Sequence, residues 1–278
     1  MNAFPDRPDI TPEEPAASNA DVPPCLPPEP SLPPAPQYPP WSGWDVLRIT
    51  LMAVMSFFLV ATLLMLSLPG ATVHNRATAL SAHVELEILG QMIAYVLVLG
   101  YMYILVTRER GQPRFWQAVR WNWPRHAWLF LFLGFLLQAA FMVIERFLPF
   151  PKETPFDALL QRPYSVALIS VFSVTLGPLM EELFFRGFFY PVLRRRTGVA
   201  AAVVITAFPF ALIHAAQYGY SWASVLLIFA VGVVLATVRE NSDSLSASFL
   251  VHVGYNGTIA ALMFVATDAF RHLEKLNQ

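Results

Sequence analysis

Residues 165–190 read SVALISVFSVTLGPLMEELFFRGFFY. This run is long enough to cross a bilayer, whose ~30 Å of hydrocarbon takes about 20 apolar residues in a helix. Its second half nevertheless carries Glu181, Glu182 and Arg186. An ionisable side chain at the centre of a membrane helix costs about 2.5–3.5 kcal/mol on insertion scales, so a carboxylate there calls for a function. Here two stand in succession. Glu182 and Arg186 are four residues apart and share a helical face, where an ion pair offsets the burial of both charges. Glu181 points about 100° away and is free of that pair. The spacing therefore reads Glu182 with Arg186 as structural and Glu181 as the reactive group.

Working outward, six more stretches pass the same length test: 46–68, 86–106, 127–148, 199–216, 222–239 and 245–266. The fold class is all-α, a polytopic transmembrane helix bundle of about seven spans. Composition agrees, since 56% of the 278 residues are hydrophobic and 13% are charged, against about 25% charged in soluble domains. Residues 1–43 differ from the rest: they hold 14 of the 24 prolines, and six acids against Arg7. They are expected to form a disordered, acidic, Pro-rich tail. Residues 44–164 then form three N-terminal spans with an amphipathic interfacial loop. Residues 165–266 form a catalytic helix bundle, and 267–278 a short polar tail.

Lysine and arginine mark the cytoplasmic loops. Arg108, Arg110, Arg114, Arg120 and Arg125 follow the second span, and Arg194, Arg195 and Arg196 follow the fourth. Placing both groups inside makes the N-terminus cytoplasmic, with eleven basic residues inside and six outside. Loop 112–126, with Phe115, Trp116, Trp121 and Trp123 among arginines, reads as a segment at the lipid interface. Membrane lipids are thus expected partners and the cell membrane the expected location. Nucleic acid is disfavoured because the arginines lie in short loops rather than along one basic face. The lone Cys25 excludes an internal disulfide and a cysteine metal cluster.

Polar groups recur in the later spans. The fifth contains Phe210-Ala-Leu-Ile-His214 and the seventh His252-Val-Gly-Tyr-Asn256. The helical rise puts Glu181 about 16 Å, His214 about 22 Å, Asn256 about 16 Å and His252 about 10 Å from the cytoplasmic ends of their helices. One carboxylate, two imidazoles and a carboxamide thus fall in one band near the inner half of the membrane, from which a site would open toward the cytoplasm. Pro209 is expected to kink the fifth helix one turn below His214.

A carboxylate in an apolar cavity is a competent general base near neutral pH, and an adjacent imidazole shares the activation of water. A histidine and an asparagine on one face can donate to a developing oxyanion. Amide hydrolysis by activated water fits these parts. An equally open arrangement has Glu181, His214 and His252 binding zinc, which would lower the pKa of a bound water. The sequence contains no GxSxG, no HExxH and no Cys-His pairing, so serine, zincin and thiol mechanisms lack support.

The motifs EExxxR at 181–186, FxxxH at 210–214 and HxxxN at 252–256, in that order on three apolar helices, resemble the CPBP family of intramembrane proteases. This family comprises the CAAX proteases and bacteriocin-processing enzymes, also called Abi proteins, and includes the Ras-converting endopeptidases. The resemblance covers roughly residues 165–265. It implies that Glu181 acts with His214 to activate the hydrolytic water, that His252 and Asn256 form the oxyanion site, and that Glu182 and Arg186 brace the first motif, with Phe210 in support. It implies a membrane-associated protein or peptide as substrate and leaves both a zinc and a metal-independent mechanism standing. Two other readings are a catalytically silent membrane immunity or binding protein of the same family, and a transporter. The transporter lacks the paired interrupted helices expected in two halves.

Overall fold

The computed structural model describes residues 38–68, 80, 83–151 and 153–274. The expected disordered tail falls, over residues 1–37, outside the described residues. The rest is helical, and seven helical segments are long and apolar enough to cross a membrane: 43–67, 84–109, 127–145, 163–197, 199–218, 222–242 and 245–266. Large apolar side chains such as Phe58 (71% exposed) and Val96 (68% exposed) face outward. That surface is suited to hydrocarbon rather than to water.

Helix α1 (Gly43–Ser67) packs along α2 (Val84–Ile104), which ends in a π turn over Leu105–Glu109. The start of α1 is fixed by Asp45, which is fully buried. Its carboxylate accepts the Ser42 N–H at 2.7 Å and Arg110 Nη2 at 2.5 and 2.7 Å. One acidic side chain therefore caps α1 and ties it to the far end of α2.

The boundary at residue 43 needs correcting, because residues 38–41 are packed into the bundle. The Trp41 indole is buried and donates to the Phe188 carbonyl at 3.1 Å. Arg195 Nη1 donates to Pro39 O at 2.9 Å, and Arg239 Nη2 to the Tyr38 hydroxyl at 2.7 Å. Burial holds the Tyr38 phenol above its usual titration range, so it stays neutral and free to accept that bond.

The loop after α2 is only in part an interfacial segment. Its short helix α3 (Phe115–Ala118) inserts Phe115 and Val119 into the core beside Trp41, Leu183 and Leu245, while Trp116 and Trp123 stay exposed. The loop also receives the start of the last long helix: Leu245 N–H bonds to Arg120 O, and the Ser246 hydroxyl donates to Asn122 O.

Helix α4 (Ala127–Glu145) follows. The fourth span is then built of α5 (Pro163–Val174), α6 (Leu176–Glu182), a π turn over Leu183–Phe189 and α7 (Tyr190–Thr197). It is not the continuous helix that its hydropathy suggests. Thr175 breaks it, with φ −117° and ψ −85°. Pro178 supplies the cause, since proline lacks an N–H and clashes with the carbonyl four residues earlier. The arginine triplet occupies the last turn of α7 rather than a loop. Gly198 alone, at φ +80°, links α7 to α8 (Val199–His214). That backbone conformation suits glycine because no Cβ obstructs it.

Helix α8 runs through Pro209 to His214, a 3₁₀ turn follows over Ala215–Tyr218, and then come α9 (Trp222–Ser242) and α10 (Leu245–Ala266). Helix α10 packs against α4, α5, α6 and α9, and α8 against α9. The approach of α10 to α4 is very close: a Cβ at Gly134 would collide with the Val251 carbonyl, and one at Gly254 with the Leu131 carbonyl. Paired small residues of this kind let membrane helices meet at backbone distance.

Candidate active site

The charged heart of the fourth span is dry. Glu182 and Arg186 are both fully buried and paired at 2.8 Å between Oε1 and Nη1. The π turn that begins at Leu183 carries Arg186 inward, a local geometry that often marks functional segments. Arg186 Nη2 donates to the Gly232 carbonyl on α9 at 3.0 Å, and its Cζ lies 4.3 Å from the centroid of the Phe210 ring. Gly232 also lets α9 lie close to α8, because a Cβ there would meet Ala207 and Phe210 at 3.0–3.1 Å.

Glu182 has two further partners. Its Oε1 lies 3.0 Å from His252 Nδ1, and its Oε2 accepts from the Ser248 hydroxyl. The buried carboxylate is thus met by a guanidinium, an imidazole and a hydroxyl, the saturation that a buried charge requires. A carboxylate can only accept, so the His252 proton sits on Nδ1 and Nε2 is turned away from Glu182. His214 is held by the same device. Its Nδ1 is 2.8 Å from the Phe210 carbonyl, also an obligate acceptor. Phe210 therefore serves twice, with its ring against Arg186 and its carbonyl fixing the histidine one turn on.

Both free Nε2 atoms converge on Glu181. His214 Nε2 is 3.9 Å and His252 Nε2 3.8 Å from Glu181 Oε2. These separations exceed a hydrogen bond. Glu181 Oε2 is itself buried without a protein partner. Asn256, one turn beyond His252, donates from Nδ2 to the Ser173 carbonyl at 2.7 Å, which orients the carboxamide and leaves its second N–H for other use.

These groups line one cavity of about 280 Å³, together with Gln91, Phe156, Leu159, Gln217, Ile259 and Met263. The structure thus brings Glu181, His214, His252 and Asn256 together, although the rise along separate helices had spread them over about 12 Å of depth. Glu182 and Arg186 lie behind them, and Phe210 lines the cavity beside His214 and His252. The cavity runs from Glu181 away from the arginine-bearing ends of the helices, toward the first turns of α2, the 3₁₀ turn at Asp157–Leu160 and the second half of α10. On the arginine side the level is closed by packed Trp41, Phe188, Leu183, Leu245 and Val119.

Ser248 escapes a reading by motif, although the run Ser244-Leu-Ser-Ala-Ser248 leads into His252 and a serine four residues before a histidine shares its face. The carbonyls of Gly232 and Ser173 are backbone groups without a signature in sequence.

Zinc held tetrahedrally at 2.0–2.2 Å sets its ligand atoms about 3.4 Å apart. The two Glu181–histidine separations are wider, and among the described residues no group of three or more His, Cys, Asp and Glu closes to metal-holding distances. As placed, Glu181, His214 and His252 do not fit a zinc ion.

Residues 163–258 match the family model described as Rce1-like, type II CAAX prenyl endopeptidase Rce1-like. The matched segment runs from α5 through Asn256, carries all three motifs, and supports assignment to the CPBP/CAAX protease family. No curated protein and no solved structure matches the chain.

Proposed function

We propose that this chain, Rce1-like from residue 163 to 258, is an intramembrane endopeptidase that hydrolyses a peptide bond of a membrane-associated protein or peptide by means of a water activated by Glu181 and His214. The observation that carries the reading is Glu181 Oε2, buried, unpartnered by protein, and flanked at 3.8 and 3.9 Å by two imidazole nitrogens whose other ring nitrogens are already engaged. A water between them can donate one hydrogen to Glu181 Oε2 and the other to His214 Nε2.

In the reaction that follows, Glu181 takes a proton as the water oxygen adds to the peptide carbonyl carbon, and His214 Nε2 accepts the water's second hydrogen bond. The carbonyl oxygen becomes an oxyanion. The free N–H of Asn256 and, in its imidazolium form, His252 Nε2 are the donors positioned for it. The proton held by Glu181 passes to the amide nitrogen as the C–N bond breaks, leaving a carboxylic acid and an amine. Glu182 and Arg186 do not meet the substrate; they hold His252 in register. The chain is a multi-pass protein of the cell membrane in this reading, with its N-terminus in the cytoplasm.

The test is cleavage of a panel of membrane-presented peptides by the purified chain in vesicles. Glu181→Gln and His214→Asn should each lower turnover by about 10²-fold or more, the usual contribution of general acid–base catalysis. A Glu181→Gln protein as active as its parent would remove the assignment of the base. No cleavage by the parent across the panel would remove the enzymatic reading.

A further inference from the structure

The π turn over Leu183–Phe189 carries Arg186, and its hydrogen bonds span five residues rather than the four of the α-helices on either side. Such a register is rare, so what grips the turn from outside matters. The Phe188 carbonyl accepts the Trp41 indole N–H at 3.1 Å, and the two rings lie 4.6 Å apart between centroids. Gly187 abuts the start of α10, where a Cβ would stand 3.3 Å from Leu245 Cδ2.

Trp41 is itself fastened by the strap Tyr38–Trp41. Arg195 donates to the Pro39 and Trp41 carbonyls at 2.9 and 3.3 Å. The Tyr38 hydroxyl accepts Arg239 Nη2 at 2.7 Å, and Arg120 Cζ lies 4.3 Å from the centroid of its ring. Arg239 follows Gly232 by two helical turns on one face of α9. The strap therefore holds both the π turn and the helix whose Gly232 carbonyl receives Arg186.

From the strap to the site the route is short. Phe188 follows Arg186 by two residues, Arg186 pairs with Glu182 at 2.8 Å, and Glu182 Oε1 lies 3.0 Å from His252 Nδ1. Trp41, Phe188, Arg186 and Glu182 are each no more than 1% exposed. A close-packed interior has little compressibility, so a shift at one end is carried to the other.

We infer that Trp41 is a positioning residue for His252: pinned by the strap, its indole holds the π turn so that the Arg186–Glu182 pair keeps His252 Nε2 directed at Glu181. A segment outside the matched residues 163–258 is thereby part of what makes the site. The effect on turnover rests on the endopeptidase reading; the effect on His252 does not.

Three variants test it. Trp41→Phe keeps an apolar ring and removes the N–H. Arg195→Gln, at an exposed position, loosens the strap without entering the core. Val60→Ala, buried where α1 meets Gly90 of α2, is the control for lost packing. The first readout is the His252 Nδ1–H resonance in ¹⁵N-histidine-labelled protein in lipid vesicles, identified by its disappearance in His252→Asn. Its exchange with water should be faster by about fivefold or more in Trp41→Phe and Arg195→Gln, and unchanged in Val60→Ala. Trp41→Phe decides, or Arg195→Gln if Trp41→Phe does not fold; a smaller acceleration, or one that Val60→Ala matches, overturns the inference. The second readout is cleavage in vesicles. None of Tyr38, Trp41 and Arg195 lines the cavity, so Trp41→Phe should lower kcat by about tenfold or more and leave KM within about twofold. A raised KM with kcat intact overturns the inference. If the parent cleaves nothing, the endopeptidase reading falls, while the exchange measurement still decides whether Trp41 positions His252.

Discussion

Replacing each of the adjacent glutamates by glutamine should separate brace from base. Glu182 is fully buried and engages Arg186 at 2.8 Å, His252 at 3.0 Å and Ser248. Neutralising it leaves the Arg186 guanidinium, also fully buried, without its counter-charge. Removing one partner of a buried pair typically costs about 3–5 kcal/mol. At about 2–4 °C of melting temperature per kcal/mol for a protein of this size, Glu182→Gln should lower the midpoint by about 6–20 °C. Glu181 is different, because its side chain is 20% exposed and its Oε2 has no protein partner to lose. Glu181→Gln should melt within about 2 °C of the parent while losing cleavage. Thermal unfolding of detergent-solubilised protein, followed by circular dichroism alongside peptide cleavage, measures both. Equal melting of the two variants, or a larger loss for Glu181→Gln, would refute the division of roles.

Other outcomes follow from the same geometry. Gly134→Ala or Gly254→Ala should destabilise the bundle by about 1–3 kcal/mol through overpacking of α4 on α10, and should depress cleavage, since α10 carries His252 and Asn256. Gly100→Ala, where a Cβ meets nothing within 4 Å, should be neutral or stabilising by up to about 1 kcal/mol; thermal melting compares the three. Ser248→Ala removes a hydroxyl from Glu182 and should cost about 1–3 kcal/mol, lowering turnover more than substrate affinity; steady-state kinetics on the vesicle assay separates the two. Prolonged dialysis against a strong chelator should leave cleavage unchanged, because Glu181, His214 and His252 stand too far apart for zinc; loss of activity restored by added zinc would contradict the placement of those side chains.

Much of this was legible in the letters. All seven apolar stretches are helices, and the i, i+4 relation of Glu182 and Arg186 is the observed pair, because helical periodicity acts locally and needs no tertiary knowledge. The break at Thr175 had a local signal in Pro178, but hydropathy averages over a single proline and conceals it. Residues 38–41 read as the end of a tail because prolines surround them, whereas one indole buried against Phe188 outweighs that composition. The direction of the cavity was beyond reach for another reason. Rise per residue gives height along a helix, but the side on which packing leaves space depends on how Trp41, Val119 and Leu245, distant in sequence, fill the opposite end. The second proton acceptor facing Glu181 likewise depended on which ring nitrogen each histidine commits to its own support.

Glu181 and Glu182 are chemically identical neighbours, one lining the cavity and the other sealed in the protein, and only the angular position of each Cα separates them. The stretch between the break at Thr175 and Glu181 is therefore intolerant of any change in length. Deleting one residue there, or inserting one, would turn the following segment by about 100° relative to α5 and carry Glu181 and the Glu182–Arg186 pair together out of register with His214, His252 and Ser248. Substitutions along Leu176–Met180 that preserve shape should be accepted readily, while a one-codon insertion or deletion in the same five positions should be lost from any population selected for cleavage.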